Sequence, residues 1–170
     1  MNQIFIPKKT LNQLCSITAD NEQLGTIVSI DDRIYDKILV RYDNHKDNTK
    51  CKLNDIVYDT VCFHTHPKAC YEQFNTDKGW PSINDMISFA SIDKIKVMFV
   101  LSIEGVYVSV KKNVHTKDLG EELYNFFKSI SKDKNTIDEY LIKINECMRG
   151  KCVMYFIERG LENNMSISFS

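Results

Sequence analysis

Val61-Cys62-Phe63-His64-Thr65-His66-Pro67, followed after a polar insert by Trp80-Pro81-Ser82-Ile83-Asn84-Asp85, is the passage from which the rest of this chain can be read. An apolar run ends in two histidines with one residue between them. Successive side chains of a strand point to opposite faces, so positions two apart can present both imidazoles to one ion. Zinc accepts imidazole nitrogens and carboxylate oxygens at about 2.0–2.2 Å, and a catalytic site keeps three protein ligands plus a water. Asp85 supplies the third candidate ligand. Pro81 and Ser82, placed before Ile83, Met86, Ile87 and Phe89, mark the start of a helix with an apolar stripe, capped by Ser82. Two plainer readings remain open on spacing alone. Ser82-x-x-Asp85 is also a capping box, and two histidines at a strand end can simply bond to loop backbone.

Working outward, Glu22 precedes Leu24-Gly25-Thr26-Ile27-Val28-Ser29-Ile30, an Ile- and Val-rich strand pattern. Taken alone, an acid at such a strand mouth is a solvated end. In order, Glu22, His64-Thr65-His66-Pro67 and Ser82-x-x-Asp85 resemble the JAMM (MPN+, JAB) metalloprotease motif, whose five polar positions are all present in this chain. The resemblance covers about residues 10–112. It implies an α/β fold of the α+β type, a curved mixed β-sheet flanked by helices. It also implies His64, His66 and Asp85 as ligands of one Zn2+, Glu22 as general base toward the attacking water, and Ser82 as donor to the developing oxyanion. Members are zinc-dependent isopeptidases and peptidases, many of which remove ubiquitin or ubiquitin-like proteins. The implied function is therefore cleavage of isopeptide or peptide bonds in such conjugates. Two alternatives are a JAB-type peptidase with another substrate and a non-catalytic MPN scaffold with an exposed apolar stripe over residues 119–148.

Residues 68–81 separate Pro67 from Ser82, a longer spacer than the family commonly carries. Closure cost grows slowly with loop length, so the helix can still start correctly, and the insert bears on substrate preference instead. Its Tyr71 and Phe74, with Trp80 at the helix start, are candidate substrate-binding aromatics, with Trp80 as a groove wall; the plain alternative is that they hold the loop to the sheet. Cys62 shares the face of His64 and could offer a thiolate, but a small buried hydrophobe is the simpler role. Cys147 and Cys152 lack a partner pair for a second metal site, and most of the six cysteines are expected to be thiols.

Elsewhere the spacing predicts a first helix over residues 8–20 and a strand over residues 34–42. A polar loop over residues 43–54 contains His45, which lacks apolar support for a ligand role. Extended pieces broken near Asp59 lead to the histidines. A hairpin turns around Ile103-Glu104-Gly105. Leu119, Leu123, Phe126, Phe127 and Ile130 share one helical face, as do Ile137, Leu141, Ile144 and Met148. These extra C-terminal helices, in an extension over about residues 115–160, are expected to cover the core of a single 1–170 domain and could offer a surface to a protein partner. Residues 154–157 would lie beside them, with residues 163–170 frayed.

A length of 170 residues suits one domain, and 43% hydrophobic with 26% charged residues describes a globular chain. A net charge of −1 gives no general attraction to nucleic acid or an anionic membrane, and no apolar run is long enough to span a bilayer. Residues 1–9 place their charges after a short apolar patch, the reverse of a secretory leader, so an intracellular, cytoplasmic location is expected.

Overall fold

A parallel pair of strands organises the architecture. The structure, a computed structural model, describes residues 2–17, 22–31, 33–43 and 60–170. Strands β1 (Asn2–Ile6), β2 (Gln23–Asp31), β3 (Ile34–Asp43), β4 (Val61–Thr65), β5 (Val97–Leu101), β6 (Gly105–Lys111), β7 (Cys152–Glu158) and β8 (Met165–Phe169) form one mixed sheet. Its order is β7-β6-β5-β4-β2-β3-β1-β8. The β4–β5 and β1–β3 pairs are parallel; the others are antiparallel. Among the described residues there are five α-helices: α1 (Lys8–Cys15), α2 (Lys68–Gln73), α3 (Ile83–Ser91), α4 (Gly120–Ser129) and α5 (Ile137–Met148).

All residues of β4, β5 and β6 are buried. This accounts for their near-continuous apolar runs, the pattern of strands covered on both faces. One face packs on α1, β1 and β8, the other on α3, α4 and α5. The sheet is curled: Ser170 N donates to Lys111 O at 3.1 Å and Lys112 Nζ to Ser168 O at 2.7 Å, which brings the chain after β8 back to β6. Gly25 in β2 is required by this packing, because a Cβ there would collide with the Phe63 ring and the Leu39 carbonyl.

Parallel neighbours require a crossover. Between β4 and β5 the crossover carries α2 and α3, and α3 begins near the end of β4 where the histidines lie. That connection places Ser82 and Asp85 beside His64 and His66.

The structure agrees with the expected helices after residue 119, the hairpin of β5 and β6, and the helix starting at Ser82. It corrects four expectations. The first helix ends at Cys15 rather than near residue 20, with Ser16 as its C-cap. The insert is not wholly a loop, because α2 opens it directly after Pro67. The C-terminal extension is not purely helical: residues 152–158 form β7 along the length of β6. Residues 165–169 are not frayed but form β8, paired with all of β1. Residues 152–158 lack period-2 patterning, whereas Met165-Ser166-Ile167-Ser168-Phe169 alternates apolar and polar residues as a strand does, although its pairing partners lie at the other end of the chain. The apolar faces of α4 and α5 are covered, with Leu119, Leu123, Phe126, Ile144 and Met148 buried in one core with Trp80 and Phe89. The predicted break near Asp59 and the loop carrying His45 lie outside the described residues.

Candidate metal centre

Strand alternation and the α3 cap together assemble the site. His64 is buried, while His66 and Asp85 are partly exposed. His64 Nε2 lies 3.2 Å from Asp85 Oδ1, and His66 Nε2 lies 3.2 Å from Asp85 Oδ2. One ligating atom from each residue falls within 4.8 Å of the others, and the three form a group able to hold a metal ion. Tetrahedral ligands at zinc distances stand about 3.3 Å apart, close to the two His–Asp85 distances, which run to different carboxylate oxygens, while the 4.8 Å limit for one atom from each residue is wider.

The capping box anticipated as a plainer reading is present as well. Ser82 Oγ accepts from Asp85 N at 3.1 Å, and Ser82 N donates to Asp85 Oδ2 at 2.8 Å. The same carboxylate therefore fixes the helix start and faces the imidazoles. Burial disfavours charge on both His64 and Asp85, but their mutual attraction prevails. Asp85, with Glu22 behind it, raises His64 above its ordinary 6.5, while His64 and His66 hold Asp85 well below the usual carboxylate range.

His66 Nδ1 lies 2.8 Å from Gly79 O. A carbonyl can only accept, so Nδ1 carries the proton. Nε2 then either bears a second proton or faces the carboxylate with a bare lone pair, an arrangement that a cation between them would stabilise. A metal-binding histidine commonly has its other nitrogen fixed in this way. Gly79 is itself clamped. Its N–H donates to Glu104 Oε2 at 2.8 Å and to Oε1 at 3.1 Å, and Tyr71 OH also donates to Oε1. A Cβ at Gly79 would overlap the Tyr71 hydroxyl, so only glycine fits between these partners.

The antiparallel register of β2 on β4 pairs Leu24 with His64. Continued by two residues, it sets Glu22 opposite His66. Glu22, His64, His66, Ser82 and Asp85 all line one cleft of about 560 Å³. Ser82 Oγ serves the cap as acceptor and retains its O–H for donation. Cys62 reaches the cleft wall but stands outside the ligand group, within the core.

The three aromatics part company. Trp80 is no groove wall: it is 1% exposed and stacks on Tyr140 of α5, with ring centroids 4.4 Å apart and planes at 5°. No local pattern around Trp80 signals that α5 covers it. Tyr71 borders the cleft, but its hydroxyl is engaged by Glu104 and by Ile103 N at 3.0 Å. Phe74 borders the cleft while 60% exposed, which leaves it available to a substrate.

Sequence reasoning missed Glu104, Gly79 and Lys132. Glu104 reads as a hairpin-turn residue, and the 25-residue separation from Gly79 carries no periodic signal. Lys132, from the α4–α5 connection, reaches the cleft across the core. No helix among the described residues is long and apolar enough to cross a membrane. Comparison with models of known protein families and with curated proteins gives no match.

Proposed function

We propose that this chain is a zinc-dependent metallohydrolase of JAMM type that cleaves isopeptide or peptide bonds, with ubiquitin or a ubiquitin-like conjugate as substrate. The observation that carries the reading is the convergence of His64, His66 and Asp85 within 4.8 Å, in a cleft that Glu22 and Ser82 share. The resemblance to the JAMM motif supplies the substrate class. The donor set, two imidazoles and a carboxylate, suits a catalytic zinc with an open position.

His64, His66 and Asp85 would hold the ion, with the Gly79 carbonyl fixing the His66 tautomer. When bound, zinc would polarise the scissile carbonyl and acidify water to a pKa of about 7. Glu22 accepts the proton of the attacking water and passes it to the leaving amine. The Ser82 hydroxyl donates toward the carbonyl oxygen as charge develops, a contribution of about 2.7–4 kcal/mol at comparable sites.

A JAB-type peptidase acting on another substrate would use the same machinery, and the lysines of the cleft favour considering it. The scaffold alternative calls for an exposed apolar stripe over residues 119–148, where the large apolar side chains of α4 and α5 are mainly buried.

Glu22→Gln tests the assignment. Zinc content is expected to be retained while cleavage of ubiquitin-chain and peptide substrates falls by at least about a hundredfold. Unchanged cleavage in the variant would remove Glu22 from the mechanism.

A further inference from the structure

The cleft beside the metal centre contains a cation that the chemistry above does not use. Lys132 lies in the turn between α4 and α5, which is closed on itself: Ser131 N donates to Asn135 Oδ1 at 3.0 Å and Asn135 N to Ser131 O at 2.9 Å. The turn is also tied to the insert, because Lys78 Nζ donates to Lys132 O at 2.8 Å. On this turn the side chains of Asp133 and Lys134 are exposed, whereas that of Lys132 is half-buried and lines the cleft.

The two lysines of the cleft differ. Lys78 Nζ is occupied by the Lys132 carbonyl and by Asp77 Oδ1 at 3.1 Å. Among the described residues, no carboxylate stands within ion-pair distance of the Lys132 ammonium. Burial lowers its pKa, with Asp85 and Glu104 acting in the opposite direction from further away.

Charge balance then points to a ligand. The acids facing the cleft are Glu22 and Asp85; Lys78 is paired with Asp77, which leaves Lys132 as the ammonium of the lining that has no carboxylate within ion-pair distance among the described residues. A divalent cation on His64, His66 and Asp85, together with Lys132, then exceeds the two carboxylates by one positive charge, between apolar walls that include Phe74, Ile87 and Met98. A neutral amide substrate does not answer that excess; a carboxylate does, through a charge-assisted hydrogen bond.

We propose that Lys132 forms an anion subsite of the cleft and that the substrate carries a carboxylate close to its scissile amide. The proposal rests on the metallohydrolase reading and deepens it. Two sources share this chemistry: a C-terminal carboxylate and an acidic side chain.

The test is calorimetric binding of short hydroxamate probes to the zinc-loaded full chain, each probe with the same zinc-binding head and made with a short and a long tether. One pair ends in a C-terminal carboxylic acid or its amide, and the other carries a Glu or Gln side chain. The wild type is expected to bind the carboxylate member of at least one pair about tenfold tighter than its neutral twin. That pair identifies the source. Lys132→Gln is expected to erase the preference and Lys132→Arg to keep it, with zinc content and unfolding midpoint unchanged in both variants. Equal affinity for acid and neutral probes in the wild type, or a preference that survives in Lys132→Gln, overturns the subsite and leaves the metal centre standing. A chain that takes up zinc but binds no hydroxamate overturns the open coordination position, and the subsite with it.

Discussion

The two faces of β4, β5 and β6 are both buried and chemically unlike. One carries Val61 and Phe63, Val97 and Phe99, Val106, Val108 and Val110, and closes on α1, β1 and β8. The other carries Cys62 and His64, Met98 and Val100, then Tyr107, Ser109 and Lys111. The apolar face needs only volume and close contact. The polar face needs partners, and α3 and its C-cap provide them for His64, Ser109 and Lys111. Asp85 meets His64 at 3.2 Å, Met86 Sδ receives Ser109 Oγ at 3.8 Å, and the Ile92 carbonyl accepts from Lys111 Nζ at 2.6 Å. Buried polar groups are tolerated where something satisfies them, so α3 both covers this face and makes its chemistry possible.

The largest expected effect falls on the apolar face. Phe63→Ala removes a ring that is 1% exposed and should cost about 3–5 kcal/mol in urea unfolding. His64→Ala, one residue away on the other face, should leave the zinc-free chain folded while removing zinc binding. Similar losses of stability in both variants would erase the distinction between the faces.

Next comes the clamp behind His66. Glu104→Gln weakens the hold on Gly79 and should reduce zinc affinity by about 10–100-fold, read by competition with a chromophoric chelator. A change in unfolding midpoint with unaltered zinc affinity would make Glu104 structural only.

A smaller effect concerns pH. Burial pushes the Lys111 ammonium down from 10.5 to about 8, so between these values the unfolded chain holds more protons and stability rises with pH. The buried Cys15 and Cys152 thiols, pushed up to about 12, act in the opposite sense, so the comparison must be with Lys111→Met. Across that window the stability of wild type relative to this variant should rise by about 2–3 kcal/mol. A flat difference would place the ammonium in water.

The smallest is the cap. Ser82→Ala should lower stability by about 1 kcal/mol through loss of the bond to Asp85 N, with zinc still bound.

The legibility of the sequence follows the same division. His64, His66, Ser82 and Asp85 were readable because strand alternation and a helix cap are local rules, and the crossover joined them. The β5–β6 hairpin and the stripes of α4 and α5 were readable for the same reason. Trp80 was misread because its partner, Tyr140, is 60 residues away on α5. The alternation of residues 165–169 is a local strand signal, but its pairing with β1, at the other end of the chain, has no local sign. Glu104 looked like a turn residue because its role depends on Tyr71 and Gly79 approaching it from the insert.

The most direct test of the central claim is the zinc content of the purified chain, measured by elemental analysis for wild type, His66→Ala and Asp85→Ala after zinc is supplied and excess removed. The account predicts about one zinc per wild-type chain, lost in both variants. A wild type that remains zinc-free, or variants that retain the ion, would contradict it.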